Sequence, residues 1–362
     1  MRRDRKTESW KALLRACAFG AGALAAVSAA AGAAGIVDAA SPRGMQSDVV
    51  FTLYSPLSSV AQIVRRMMSP LEALRLRQAS ARRGGSLQGQ AIDLSKERFA
   101  LYVPRVPPPG GYALFIYVSP YEDAQIPREW SSVLDRHGMI FVTAARSGNS
   151  ANVFDRREPL ALLAVYNIES RYLIDARRIY VGGFSGGSRV AERLALGYPE
   201  LFRGALLYAG SDPLGDGRLP LPEAALFDRF QESTRVVLAS GERDDYHLTE
   251  DAHSERSMQQ WCVFDVARQT IPWTSHELPD ASAFDRLLDA LERGEKPAPQ
   301  RLSECRARIG TALDAEIATV GDLLRAGKLD KARRTLARID AHYGGLAAPR
   351  SAELDAELGP TR

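Results

Sequence analysis

The sequence has almost no net charge outside its first fifteen residues. The 362-residue chain holds 47 basic and 44 acidic side chains, a formal net charge of +3. Residues 1–15 contribute six basic and two acidic side chains, so the other 347 residues carry 41 basic and 42 acidic groups. A nucleic-acid-binding surface needs a concentrated basic patch. The body of the chain therefore gives no electrostatic support to nucleic-acid binding.

Long apolar runs are also scarce. One uncharged run, Ala16–Val37, follows the basic start, and this order is typical of a secretory signal peptide. Val37 and Ala39 are small residues at positions −3 and −1, which predicts cleavage after Ala39 and a periplasmic or secreted mature chain. The run is also long enough to cross a bilayer, so the alternative is a retained N-terminal membrane anchor. Nothing further along the chain has the pattern of a membrane-spanning helix.

Cysteine is the third shortage. The chain has three cysteines, Cys17, Cys262 and Cys305, and cleavage after Ala39 removes the first. Disulfides persist in oxidising compartments, so export would allow Cys262 and Cys305 to form one bridge. The sequence leaves open whether they do so or remain two buried thiols.

The rest of the composition is globular, with 45% hydrophobic and 25% charged residues, which excludes a disordered or collagen-like chain. Five short apolar runs are continuous rather than alternating, as expected of strands buried on both faces of a parallel sheet. These runs are Tyr112–Val118, Met139–Ala145, Ile179–Val181, Ala205–Ala209 and Val236–Ala239.

Helical patterns separate these runs. Pro127 and Gly138 bound one predicted helix, Pro159 opens a second, and a third follows Ser185. A late helix ends at Gly294. This alternation predicts an α/β fold with a doubly wound, mostly parallel sheet and helices on both faces.

Other segments flank the sheet. Leu87–Asp93 and Arg98–Val103 are predicted to pair antiparallel at its edge. Helical spacing after residue 299 predicts a C-terminal helical hairpin docked on the domain, since a single repeat-like unit cannot bury its own face. The predicted organisation is a signal peptide over 1–39, an N-terminal arm over 40–84, a catalytic domain over 85–296 and a helical extension over 299–362.

Gly183–Gly187 reads Gly-Phe-Ser-Gly-Gly and fits the G-x-S-x-G pattern. In this pattern a serine lies on a tight turn between a buried strand and a helix, and the turn exposes its hydroxyl. Glycine is needed because a side chain at either end would clash with the neighbouring strand or helix. The alternative is a tightly packed glycine loop with an inert Ser185.

A nucleophilic serine needs a base, and the chain offers few histidines. His276 follows the extended segment Thr270–Thr274 and precedes the last helix of the sheet domain, so its loop opens on the same sheet edge as Ser185. The alternative for His276 is a hydrogen-bonded structural role. The other four histidines have different expected roles: capping for His137, solvated positions for His247 and His253, and a place in the C-terminal hairpin for His342.

A catalytic triad of this type has a third member beside the serine and the histidine, a carboxylate that orients the imidazole. Asp244 lies three residues past Gly241, where the chain turns over the edge of the sheet. Asp245 is its rival and Glu242 a less favoured candidate. The chain order of serine, acid and histidine supports Asp244.

With a serine, an acid and a histidine in this chain order, the sequence resembles the α/β-hydrolase superfamily. Asp175–Val190, Tyr198–Phe202 and His276–Pro279 look like segments of polyhydroxybutyrate-depolymerase and feruloyl-esterase-like proteins. The resemblance covers residues 87–294. It implies a carboxylic-ester hydrolase that acts without a cofactor and without a metal.

One segment departs from that family. Many members carry a His-Gly-Gly-like turn that supplies an oxyanion-hole amide, whereas this chain reads Val118-Ser119-Pro120-Tyr121. Because Pro120 has no N–H, Tyr121 is the predicted donor beside the Gly186 amide, with Ser119 as the alternative. Loss of one such donor costs about 2.7–4 kcal/mol of transition-state stabilisation.

These observations give one main hypothesis and two alternatives. The main hypothesis is an exported serine hydrolase that cleaves a small-molecule or polymer ester through an acyl-enzyme on Ser185. One alternative is an exported binding or scaffold protein that retains a weak or inactive hydrolase shell. The other is a serine peptidase that uses the same three residues.

Overall fold

An eight-stranded sheet forms the centre of the protein. A computed structural model describes residues 42–359. The strands lie in the order β1-β2-β4-β3-β5-β6-β7-β8. β2 is antiparallel to both of its neighbours, and all other neighbouring strands are parallel. The strands are β1 Gly44–Val49, β2 Phe99–Val103, β3 Tyr112–Val118, β4 Met139–Ala144, β5 Ile174–Phe184, β6 Gly204–Tyr208, β7 Arg235–Gly241 and β8 Val266–Ile271.

Helices cover both faces of the sheet, which confirms the predicted fold class. Leu114 and Ile116 of β3 pack on one face, while Phe115 and Tyr117 pack on the other. Both sets are buried, so the strand shows no polar alternation. The helices are α1 Val60–Met67, α2 Pro70–Arg82, α3 Ser131–His137, α4 Glu158–Glu169, α5 Gly186–Gly197, α6 Ala224–Ser233, α7 Asp245–Gln260, α8 Ala281–Glu292, α9 Pro299–Arg325, α10 Leu329–Tyr343 and α11 Arg350–Leu358.

The antiparallel edge differs from the sequence-based expectation. β2 pairs with β1, whose Gln46 lies opposite Leu101, and Leu87–Asp93 is not a strand. That segment makes one isolated bridge, between Gln90 and Ser59, before Asp93 caps a short 3₁₀ turn. The arm predicted over residues 40–84 therefore supplies an edge strand as well as α1 and α2.

The C-terminal helices pack on the arm. α9 and α10 are neighbours, as the predicted hairpin requires, and α11 follows as a third helix. Asp340 of α10 accepts hydrogen bonds from the Ser69 hydroxyl at 2.5 Å and the Leu71 amide at 3.1 Å, both at the start of α2. The two ends of the described chain thus stabilise each other.

A disulfide joins this helical layer to the sheet domain. Cys262, just after α7, is bonded to Cys305 of α9, and the two positions are 43 residues apart in the chain. Of the two possibilities left open by the sequence, the structure has the bridge.

We expect loss of this bridge to destabilise the fold. Closing a loop of this length restricts the unfolded chain, and the chain-entropy relation gives about 4 kcal/mol. The double variant Cys262→Ala/Cys305→Ala should therefore unfold at a lower denaturant concentration than the oxidised wild type. A reductant should lower the stability of the wild type and leave the variant unchanged; equal sensitivity of the two proteins would contradict the prediction.

Within residues 42–359, no helix is long and apolar enough to cross a bilayer. The predicted signal peptide and its cleavage site after Ala39 lie outside the described residues.

His137 does more than cap a helix. It ends α3, and its ring nitrogens lie 2.8 Å from Glu292 Oε2 and 3.0 Å from Asp285 Oδ1, both on α8. Burial of the ring favours the neutral form, but the two carboxylates outweigh burial and raise the pKa of His137. The imidazolium therefore ties α3 to α8.

This ion pair makes stability depend on pH in a defined direction. Because the pKa of His137 is higher in the folded chain than in the unfolded one, its contribution is complete below the unfolded value of about 6.5 and is lost as the pH rises through the raised value. His137→Gln should lower the melting temperature most in mildly acidic buffer and least in alkaline buffer. A gap between variant and wild type that widens with pH would show the assignment to be wrong.

Candidate active site

Ser185 lies on a strained turn at the carboxyl end of β5. β5 ends at Phe184 and α5 begins at Gly186, so one residue makes the connection. Ser185 has φ 54° and ψ −125°, a region that residues other than glycine rarely adopt. Its amide donates to the Tyr208 carbonyl oxygen at 2.8 Å, which anchors the turn to β6. The hydroxyl is thereby held above the sheet edge.

The two outer glycines of the motif are required by close backbone contacts. A Cβ on Gly183 would lie 2.5 Å from the backbone of Gly187, and a Cβ on Gly187 would lie 1.9 Å from the Val118 carbonyl oxygen. Both separations are far below van der Waals contact. The predicted reason for glycine at these positions is confirmed.

The structure brings the three predicted triad residues together. Ser185 Oγ lies 3.0 Å from His276 Nε2, and His276 Nδ1 lies 2.7 Å from Asp244 Oδ2. Because Nδ1 faces a carboxylate, it carries the ring proton, and Nε2 is left to accept the serine proton. This is the hydrogen-bonding order of a serine nucleophile, a base and an orienting acid.

Asp244, and neither of its rivals, is the acid in contact with His276. The Asp244 side chain is 7% exposed and caps α7 by accepting from the His247 amide. Asp245 is exposed on the first turn of α7. Glu242 accepts from the amide of Trp273 at 2.9 Å and so stabilises the loop that carries His276.

Asp244 remains a carboxylate despite its burial. Burial alone would raise its pKa, but hydrogen bonds from His247 and His276 outweigh burial and hold the pKa below its ordinary value. An ionised Asp244 is what stabilises a protonated His276 during proton transfer.

The two predicted oxyanion donors are in different situations. Gly186 is the first residue of α5, so its amide has no acceptor within its own helix. The Tyr121 amide donates to Ser119 Oγ at 3.0 Å. Gly186 is therefore free to donate to substrate, whereas the Tyr121 amide must first leave the serine hydroxyl.

Arg157 is a buried cation behind these loops, and no sequence pattern singled it out. Its guanidinium donates to the carbonyl oxygens of Ser147 at 2.9 Å, Ser119 at 3.0 Å and Gly186 at 3.3 Å. Burial lowers the pKa of Arg157 to about 10, so the group is still charged at neutral pH. One side chain thus holds the loops after β3 and β4 against the first residue of α5.

These features decide the fold. A serine on a strained strand-to-helix turn lies at the carboxyl edge of a mostly parallel sheet, and the acid and the histidine follow it in that chain order. The chain has the α/β-hydrolase fold.

Comparisons with known proteins give structural likenesses only. No protein-family model and no curated protein matches the chain. A structure described as a dipeptidyl aminopeptidase IV from Bacteroides ovatus is 17% identical, covers 57% of this chain and has a TM-score of 0.42. This chain spans only 35% of that protein.

The match extends over most of the length of two esterase-type structures. An S-formylglutathione hydrolase from Agrobacterium tumefaciens is 14% identical over 54% of this chain and 90% of its own, with a TM-score of 0.41. An acetyl xylan esterase from Aspergillus awamori is 12% identical over 54% of this chain and 94% of its own, also with a TM-score of 0.41. Similarity at this level leaves the substrate of this α/β-hydrolase-fold chain open.

His247 is a second imidazole at the site, and the expectation that it is solvated is wrong. Its Nδ1 lies 2.8 Å from both carboxylate oxygens of Asp244, and its side chain is 14% exposed. The spacing of three residues on the first turn of α7 was the available signal, because side chains three apart on a helix are neighbours.

Asp244, His247 and His276 also hold the donor atoms that a divalent cation could share. Their nearest ligand atoms all lie within 4.8 Å of one another. These ligand atoms already form hydrogen bonds with one another. A cation that bound Nδ1 of His276 would break its hydrogen bond to Asp244. Cation binding and the Ser185–His276–Asp244 arrangement are therefore competing uses of the same atoms.

Arg157 offers a test of how the site is supported. Arg157→Lys retains the charge but cannot reach three carbonyl oxygens, and hydrogen bonds to charged groups are worth about 1.5–3 kcal/mol each. We expect kcat/KM toward an ester to fall by about tenfold or more. Arg178→Lys is the matched control, since Arg178 pairs with Glu292 near the start of β5 and does not contact these loops, and should leave kcat/KM unchanged. Equal rates for both variants would show that Arg157 does not support the site.

Proposed function

We propose that this protein is a serine hydrolase that cleaves carboxylic esters through an acyl-enzyme on Ser185. One observation carries the proposal: hydrogen bonds of 3.0 and 2.7 Å connect Ser185 Oγ to His276 and His276 to Asp244, and Ser185 lies half-buried on a strained turn. An inert structural serine has no need of a positive φ angle or of an imidazole fixed by a buried carboxylate.

The proposed reaction follows from these contacts. His276 Nε2 takes the Ser185 proton while Oγ bonds to the ester carbonyl carbon, and the carbonyl oxygen gains negative charge. The Gly186 amide, joined by Tyr121 once that amide leaves Ser119 Oγ, stabilises this oxyanion. His276 then returns the proton to the departing alcohol. Water, activated by the same nitrogen, releases the acid and restores Ser185.

The surface around Ser185 supports an ester with a bulky acyl or alcohol part. The His276 side chain is 41% exposed, so the base lies on an open face. Three exposed aromatic residues lie at this edge: Tyr121 on the loop after β3, Tyr246 on the first turn of α7 and Trp273 on the loop after β8. Such side chains offer flat apolar contacts to a long or polymeric substrate.

Export is part of the proposal. The signal-like segment over residues 1–39 predicts a periplasmic or secreted mature chain, and the bridge between Cys262 and Cys305 supports an oxidising compartment. Retention of the segment as an N-terminal anchor would leave the same domain outside the cytoplasm.

A binding or scaffold role is the second candidate, and one observation favours it. The Tyr121 amide is occupied by Ser119 Oγ, so this predicted second donor can reach an oxyanion only if the loop rearranges. Without that donor, the transition state loses about 2.7–4 kcal/mol of stabilisation and turnover is slow.

The test combines a covalent probe with ester hydrolysis by the full chain. A fluorophosphonate should label the wild type and leave Ser185→Ala unlabelled. Hydrolysis of p-nitrophenyl esters of increasing acyl length should fall by about 10⁶-fold in Ser185→Ala. The length series then reports the size of acyl group that the site accepts.

The adjacent aspartates supply a matched pair. Asp244→Asn should lower kcat by about 10⁴-fold, because an amide no longer selects the working tautomer of His276. Asp245→Asn should keep wild-type rates, because Asp245 is exposed and does not contact the imidazole. An unlabelled wild type without ester turnover would reject the enzyme and leave the scaffold role.

A further inference from the structure

His247 shares the triad carboxylate with His276. It lies on the first turn of α7, three residues after Asp244, and its Nδ1 is 2.8 Å from both Asp244 oxygens. His276 Nδ1 uses one of these oxygens, Oδ2, at 2.7 Å. Two ring N–H groups therefore converge on one buried carboxylate.

The two imidazoles also contact each other directly. Their ring centroids lie 4.5 Å apart and their planes are within 15°. The ring of Phe184, the residue before the nucleophile, contacts His276 with centroids 4.7 Å apart. Since the His276 side chain is 41% exposed on a loop, these two rings supply much of what restricts its rotation.

His247 is itself held in place. Tyr246 meets its ring edge-on at 4.9 Å. Its Nε2 lies 4.0 Å from Glu250 Oε2, and Glu250 forms an ion pair with Arg189 of α5. The orientation of His247 is thereby linked to the helix that begins beside Ser185.

We propose that His247 is a positioning residue for the triad. Its N–H fixes the rotation of the Asp244 carboxylate, and its ring face holds His276 so that Nε2 stays on Ser185. Without the His247 ring, Oδ1 would keep only the long 3.4 Å bond from the His247 amide, whereas a ring N–H that faces both oxygens holds the carboxylate against rotation about its Cβ–Cγ bond. This inference rests on the ester hydrolysis proposed above. It adds His247 as a fourth residue that keeps Asp244 and His276 in their working positions.

Two substitutions separate the contribution of the His247 N–H, which bonds to Asp244, from that of its ring, which packs on His276. His247→Phe keeps a flat ring against His276 and removes the donor, whereas His247→Asn keeps a donor near the position of Nδ1 and removes the ring. We expect His247→Phe to lower kcat for a short p-nitrophenyl ester by about 10-fold to 100-fold, because small misplacements of a reacting group have effects of this size. KM should stay within about twofold, since His247 acts through Asp244 and His276. His247→Asn should recover part of kcat.

The pH profile distinguishes positioning from a purely structural role. The charged and titratable groups around His247 are Asp244, His276, Tyr246, Glu250, Asp251 and, behind Glu250, Arg189. Without the His247 donor, more of the negative charge of Asp244 acts on His276 and favours its protonated form. The acid limb of kcat/KM in His247→Phe should therefore move to higher pH. A substitution that only loosens α7 would leave that limb in place.

His253→Phe is the matched control. His253 is exposed on the same helix, so this variant should keep the wild-type kcat and pH profile. Melting temperatures of all three variants show whether any of them has failed to fold. Wild-type rates and an unmoved acid limb in His247→Phe would overturn the proposal while leaving ester hydrolysis established.

Proton NMR tests the positioning role of His247 independently of any measurement of ester hydrolysis. Ring N–H protons bonded to a buried carboxylate resonate far downfield. The wild type should show such resonances from His247 and His276, in addition to those of His137, whose ring is also bonded to carboxylates. His247→Phe should lose the His247 resonance, keep those of His137, and shift or broaden that of His276. An unchanged His276 resonance would overturn the proposal. If the wild type hydrolyses no ester, the proposed function fails on its own and this spectrum still tests His247.

Discussion

The site depends on the tight turn that carries Ser185 between β5 and α5. Its positive φ angle costs about 1–3 kcal/mol, which the surroundings must supply. The amide of Ser185 donates to β6. The carbonyl oxygen of Ser185 accepts two hydrogen bonds from Ser188, one from the amide at 3.1 Å and one from the hydroxyl at 2.9 Å. Gly187 lies so close to the end of β3 that no Cβ fits. Contacts from three directions therefore fix the backbone of Ser185.

The helices that begin after Ser185 and Asp244, α5 and α7, are joined by charged and polar contacts. Arg189 of α5 pairs with Asp212, just after β6, and with Glu250 of α7. Asp251, next to Glu250, accepts from Ser211 at 2.9 Å and Ser240 at 2.6 Å, at the ends of β6 and β7. Burial raises the pKa of Asp251, yet both of its oxygens have hydroxyl donors. α5 and α7 therefore keep their positions relative to the sheet edge.

The two flanking segments have a supporting part in this arrangement. β1 extends the antiparallel edge, and the start of α2 is bonded to Asp340 of α10. Cys305 ties α9 to the end of α7, the helix that Asp244 caps. The arm and the C-terminal helices are therefore bonded to each other at α2, and the disulfide joins them to the sheet domain at the end of α7.

The sequence alone determined the buried strands, the G-x-S-x-G turn and the order of serine, acid and histidine, because continuous apolar runs and obligatory glycines are local patterns. The tertiary structure decided what depends on contacts between distant segments. It paired β2 with β1 in place of Leu87–Asp93, chose Asp244 over Asp245 by contact with His276, and set Arg157 against two loops and the start of α5. His247 shows the limit most clearly: its spacing from Asp244 is visible in the sequence, but its contact with His276 forms only when the loops after β7 and β8 meet at one edge of the sheet.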